Sequence, residues 1–185
     1  MAVNGHRTQH LRFERELPGS VGDVHAVLTD PEFLRRYVGR TGSGGSRVVV
    51  AADRSRTCLR RVVPTRLGPP FVASFFGDAV EVVEVVTWAG TPADGTRTGQ
   101  VCADASVAPG EARFRGAVRL TPEGVDTCRW LVDGHLCVKV PLIGGKLAPL
   151  VVAAIEAALV AEARLAEQVL RARLVPDALG NAAGL

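Results

Sequence analysis

The feature that most constrains this chain is a change of hydrophobic period near its end. Cys128, Trp130, Val132, Leu136, Val138 and Val140 alternate with Arg129, Asp133, His135 and Lys139. From Lys146 to about Leu174 the pattern is helical and rich in Ala and Leu. A period of 2 therefore hands over to a period of 3.6, across Pro141-Leu142-Ile143-Gly144-Gly145. A long strand feeding a long amphipathic helix implies a curved sheet wrapped around that helix. Such an arrangement can hold a cavity.

Composition narrows the class. At 185 residues the chain reads as one domain, 1–185, with an ordered core of about 8–173 and flexible termini. Hydrophobic residues make up 47% and charged residues 22%, enough to bury a core. The net charge of +3 is small and its basic residues are scattered. Only Lys139 and Lys146 are lysines, an Arg bias that fits a GC-rich genome. No basic stripe or stacking motif accompanies it, so nucleic-acid binding is not expected. Met1 to Arg12 is polar and no signal peptide. Leu147 to Ala161 is broken by Glu156 and soon followed by Glu162 and Arg164. That reads as too short and too charged for an integral membrane segment. Cys58, Cys102, Cys128 and Cys137 form no CxxC pair and read as reduced thiols. A cytoplasmic location is the expectation.

The rest of the chain supplies the sheet. Leu11, Phe13 and Leu17 share one face of a strand over Thr8–Leu17, with Arg12, Glu14 and Glu16 on the other. Ser20 caps a short helix through Leu28, and Asp30-Pro31 starts a second that packs through Phe33, Leu34 and Tyr37. Gly39 to Ser46 is a glycine-rich connection. It lacks the preceding strand and following helix of a dinucleotide loop, and no GK[ST] follows. Arg47–Ala51 and Thr57–Val63 form a hairpin around Asp53 to Ser55. Val80–Trp88, Arg97–Ala105 and Glu111–Thr121 are further strands separated by turn signals. Short connections between successive strands imply an antiparallel meander. Ala112, Phe114, Gly116, Val118 and Leu120 form an apolar face that needs a cover. The terminal helix is the element long enough to provide it.

This order resembles the START-like helix-grip superfamily, the SRPBCC proteins. The resembling residues are the Phe13-to-Leu17 strand running into Pro18-Gly19-Ser20, Val24, and Asp30-Pro31-Glu32-Phe33. The closing strand, Pro141-Leu142-Ile143-Gly144-Gly145-Lys146 and the final helix complete it. The chain looks most like an uncharacterised actinobacterial branch of that superfamily. The resemblance implies an α+β fold: a seven-stranded antiparallel sheet gripping the last helix over an apolar pocket, with two short helices after the first strand. The superfamily includes lipid-transfer domains and polyketide cyclases, so fold alone does not name an activity.

Three charged residues break the apolar pattern. Glu162 falls in the arc of Leu147, Val151, Ile155, Leu165 and Val169, flanked by the small Ala158 and Ala166. A carboxylate there is costly unless paired or hydrated. It is either a polar anchor in a pocket or a structural ion pair at the helix edge. Arg15 shares parity with Leu11, Phe13 and Leu17, and Glu84 with Val80, Val82, Val86 and Trp88. An Arg15–Glu162 or Arg15–Glu84 pair inside the grip would neutralise these charges. Alternatively Arg15 snorkels outward, or Glu84 sits on a wet face opposite Val83 and Val85.

Between Pro64 and Ala79, Phe71/Phe75 and Val72/Phe76 have helical i,i+4 spacing. This short apolar helix is a pocket lid, a transient membrane- or protein-contacting patch, or ordinary packing. Phe114 and Trp130 read as pocket wall or core. His6 and His10 lie at a terminus expected to fray, without acidic partners nearby in sequence, and no metal site or cofactor is implied. No GxSxG or His-centred motif marks a catalytic residue.

The reading is a protein that binds or carries an apolar or amphipathic, lipid- or polyketide-like molecule between sheet and helix. Its ligand contacts would come from Glu162, Ala158, Ala166, Ile155, Arg15, Glu84, Phe71, Phe75, Phe114 and Trp130. The alternatives are a cyclase- or hydratase-type enzyme using a pocket carboxylate, and a protein-interaction module.

Overall fold

The computed structural model describes residues 6–41, 46–67, 69–90, 95–107 and 110–174. It begins with β1 (His6–Pro18), which runs into α1 (Val21–Leu28) and α2 (Pro31–Thr41). Both helix starts follow from capping. The Ser20 hydroxyl accepts the Asp23 N–H at 3.2 Å while the Asp23 carboxylate accepts the Ser20 N–H at 3.0 Å. Asp30 Oδ1 accepts the N–H groups of Glu32 at 2.8 Å and Phe33 at 2.9 Å. The helix α2 continues through Gly39 to Thr41, so the glycine-rich connection begins later than expected. Residues 42–45 lie outside the described residues.

Six more strands follow: β2 (Arg47–Val50), β3 (Arg56–Pro64), β4 (Ala79–Trp88), β5 (Arg97–Val107), β6 (Gly110–Pro122) and β7 (Thr127–Lys139). A 3-10 turn over Thr65–Leu67 and α3 (Pro70–Phe76) interrupt the meander between β3 and β4. Pro70 opens α3 at a position where its missing N–H is harmless. Gly77, at φ 69°, ends it in a backbone conformation that side chains disfavour. The chain closes with α4 (Gly144–Leu174), 31 residues long.

The sheet is antiparallel throughout, in the order β1-β7-β6-β5-β4-β3-β2. This is the helix-grip α+β fold expected from the sequence. The register follows the alternation. Cys128, Trp130, Val132, Leu136 and Val138 of β7 are buried. Arg129 instead pairs with Glu14 at 3.3 Å and Glu123 at 2.8 Å, and Lys139 with Glu111 at 3.3 Å. Much of the arginine bias is spent on this outer face, where each pair contributes little.

One expectation about α4 needs correction. Its span Gly144–Arg173 is long and apolar enough to cross a membrane, and among the described residues it is the one helix that is. Reading only Leu147 to Ala161 missed this length. In the fold it is the core helix: Leu147, Ala148, Ala163, Leu165, Ala166 and Leu170 are buried against the sheet and the first two helices.

Candidate functional site

Between the concave face of the sheet and α4 lies a cavity of about 740 Å³. Its walls are apolar. Val82 and Val86 of β4, Phe114 and Val118 of β6, and Trp130 and Leu136 of β7 line one side. Leu150, Val151, Ala154, Ile155, Ala158 and Leu159 of α4 line the other. The space exists because α4 presents alanines where larger side chains would fill the grip. In the sheet beneath it, Gly116 and Gly134 face each other on β6 and β7. A Cβ at Gly134 would meet Arg115 O at 2.5 Å and Phe114 Cζ at 2.7 Å, so Phe114 lies close over the sheet there. Val72 and Phe76 of α3 also line the cavity.

Tyr37, Arg61, Glu84 and Glu162 form a polar group on this surface, which Arg40, Thr41, Thr57, Thr65 and Asp104 also line. Arg61 shares parity with Thr57, Leu59 and Val63 on the inner face of β3, and Glu84 lies inward on β4. Arg61 Nη2 donates to Glu84 Oε2 at 2.6 Å, and Arg61 Nη1 donates to the Tyr37 hydroxyl at 3.0 Å. Tyr37 passes its own proton toward the Ala158 carbonyl at 3.3 Å, tying α2 to α4. The guanidinium carbon sits 5.5 Å from the Tyr37 ring centroid. Among the described residues, Arg61 Nε is buried without a hydrogen-bond partner. Glu162 completes the group. It is 7% exposed and lines the cavity. Burial pushes its carboxyl up to about 8; the nearby Glu84 charge pushes the same way and Arg61 opposes. Burial, with Glu162 beside it, also moves the Tyr37 phenol above its ordinary range. The arrangement offers a fixed guanidinium–carboxylate pair and one carboxyl group able to hold or release a proton near neutral pH.

The positions expected from sequence separate clearly. Glu162, Glu84, Ile155, Ala158, Phe114 and Trp130 line the cavity. Ala166 is buried in the core and does not. Arg15 is a correction: it pairs with neither Glu162 nor Glu84 but with Glu167, at 3.6 Å, with its side chain 51% exposed. Edge strand β1 lies beside the last turns of α4, so the inward parity of Arg15 looks past the cavity. Phe71 packs partly buried against the core but is not a lining residue. The Phe75 side chain lies outside the described residues. His10 is a further correction. It sits within β1, not at a frayed end, with Nε2 3.0 Å from Asp133 and its ring 5.2 Å from His135. Among the described residues no cluster of His, Cys, Asp or Glu suits a metal ion.

Tyr37 reads from the sequence only as a packing residue, and Arg61 is not singled out there. The signal for Arg61 was present, since it breaks the inward parity of Leu59 and Val63 as Glu84 does on β4. The adjacent Arg60, paired outward with Glu81, obscures which arginine faces in.

Comparison with known proteins supports the architecture. The fold is similar to that of TTHA0849 from Thermus thermophilus, with TM-score 0.59 and 21% identity over 90% of this chain and 100% of that one. It is similar to the Zhui aromatase/cyclase from Streptomyces sp. R1128, with TM-score 0.59 and 13% identity over 97% and 100%. Norcoclaurine synthase from Thalictrum flavum, in complex with dopamine and hydroxybenzaldehyde, gives TM-score 0.55 and 16% identity over 91% of both chains. No curated protein matches the sequence. These likenesses show that the helix-grip fold is shared with solved structures. Residues 12–170 match the model of a family described as "Protein of unknown function (DUF2505)", and the chain belongs to that family.

Proposed function

We propose that this protein binds an apolar or amphipathic small molecule, lipid- or polyketide-like, in the cavity between sheet and α4. One observation carries the reading: a cavity of about 740 Å³ with mainly apolar walls and a buried polar group of Tyr37, Arg61, Glu84 and Glu162. A volume of several hundred Å³ with few convergent polar groups is the form that small-molecule sites take. Ile155, Ala158, Phe114 and Trp130 would contact the apolar body, and Glu162, Glu84, Arg61 and Tyr37 a polar end. Val72 and Phe76 would make α3 a lid. The four cysteines, all unpaired, fit the cytoplasmic carrier this reading implies. Native mass spectrometry of freshly purified protein tests it. Extra mass that is released on denaturation and extracts into organic solvent supports the reading. Protein that neither carries nor takes up such a molecule contradicts it.

A second reading is favoured by the Glu162 carboxyl being held up to about 8 beside the Arg61–Tyr37 hydrogen bond. A desolvated carboxyl of that kind suits general acid–base chemistry of cyclase or hydratase type. Turnover that is abolished in Glu162→Gln while ligand binding persists would select this reading.

A further inference from the structure

The polar end of the cavity holds more carboxyl groups than buried cations. It contains Glu84 and Glu162 and one buried guanidinium, Arg61; Asp104 also lines the cavity but is paired with Arg115 at 2.6 Å. Arg61 is committed to Glu84 at 2.6 Å, and its other contact in the cavity is the neutral Tyr37 hydroxyl at 3.0 Å. Glu162 is more than nine-tenths buried and lines the cavity. Among the described residues it accepts no hydrogen bond and forms no ion pair. The groups facing it are Tyr37 from α2, Arg61 from β3 and Glu84 from β4. Arg40, at the end of α2, also lines the cavity but is exposed, where its charge is screened. A buried carboxylate without a cation is costly, so this one calls for a positive partner or a proton.

We propose that Glu162 is the counter-ion for a positively charged nitrogen, so that the ligand class of this cavity is an apolar or amphipathic amine. The inference rests on the cavity reading above and adds the chemistry of the ligand's polar end. An anionic amphiphile such as a fatty acid would bring a second carboxylate to a guanidinium already committed to Glu84. An alcohol or ketone would leave Glu162 needing its proton. An ammonium group removes that need. Without an amine the Glu162 carboxyl holds its proton at neutral pH, because burial raises it to about 8. The amine arrives already protonated, so Glu162 gives its proton to solvent as the ion pair forms. Binding therefore releases about one proton per amine near pH 7.

The experiment uses three amphiphiles of equal chain length: dodecylamine, dodecanol and dodecanoate. Each competes at pH 7 with the uncharged dye N-phenyl-1-naphthylamine for the intact protein. Calorimetry in two buffers of different ionisation enthalpy counts the protons. The expected result is dodecylamine binding at least about tenfold more tightly than the other two, with about one proton released. In Glu162→Gln the preference and the proton release both disappear, while dye and dodecanol still bind. Dodecanoate binding as tightly as the amine, amine binding without proton release, or a preference that survives in the variant would each overturn the proposal. If the dye binds but no amphiphile displaces it, the amine assignment fails and the cavity reading stands. If the dye does not bind, the cavity reading itself fails. Should Glu162→Gln not fold, the preference and proton count of the unaltered protein decide.

Discussion

Arg61 is the residue on which the site's electrostatics turn. It sits 8% exposed between Glu84 and Tyr37. Removing one partner of a buried ion pair leaves the other charge uncompensated, at a cost of roughly 3–5 kcal/mol. Arg61→Met is therefore expected to lower stability by about that amount, because the Glu84 carboxylate would lose its buried partner. Denaturant melts at pH 7 check this; a loss below roughly 1 kcal/mol, the scale of an exposed pair, would mean the pair is effectively solvated. His25 makes a second prediction at this scale. It is 7% exposed, stacks edge-on against Trp88 with ring centroids 5.1 Å apart, and lies with Nε2 3.2 Å from Arg97 Nη1. Burial, helped by the Arg97 and Arg54 charges, holds its imidazole down to about 4 from 6.5. The unfolded chain then binds a proton that the folded chain refuses, so stability is full above pH 6.5 and is lost as pH falls toward 4. His25→Gln is expected to flatten the dependence of thermal stability between about pH 7 and pH 5. An unchanged slope would assign that loss to other groups. The sequence placed His25 on a short helix but carried no sign of this neighbourhood, since Trp88 and Arg97 come from strands remote in the chain.

At the scale of elements, the alternation of period two was strong enough to place every strand within a few residues and to set the register of β7. Capping chemistry at Ser20 and Asp30 did the same for the two short helices. What parity leaves open is lateral position across a curved sheet. Arg15 and Glu84 break parity in the same way, yet β1 is an edge strand and β4 a central one. Position in the sheet, which depends on pairing between distant segments, sends Arg15 to Glu167 and Glu84 into the cavity. The facing glycines yield a prediction of their own. Gly134→Val would drive a Cβ to 2.5 Å from Arg115 O and 2.7 Å from the Phe114 ring, and the backbone contact has no flexible end to yield. Overpacking of this kind costs typically about 1–3 kcal/mol. Thermal melts are expected to fall accordingly, and Phe114→Leu is expected to relieve only the part due to the ring. Full rescue by Phe114→Leu would show that the strand backbones can separate.

For the whole molecule, the sequence made the grip of sheet on helix legible and left the cavity to inference. Volume is a difference between large quantities: sheet curvature, the stand-off of α4, and which small side chains face inward. Ala154 and Ala158 line the cavity, whereas Ala163 and Ala166, on the same helix, are buried in the core. At about 100° per residue Ala163 and Ala166 lie roughly 80–180° further round the helix than Ala154 and Ala158, but angle does not say which arc faces open space. The central claim is that this space accepts an apolar molecule, and filling it tests the claim most directly. Binding of N-phenyl-1-naphthylamine would be titrated by fluorescence in the unaltered protein and in an Ala154→Trp, Ala158→Trp double variant. The predicted result is saturable binding to the unaltered protein and at least about tenfold weaker binding to the variant, with circular dichroism showing the fold retained. Equal binding by the two folded proteins would place the dye elsewhere and contradict the account.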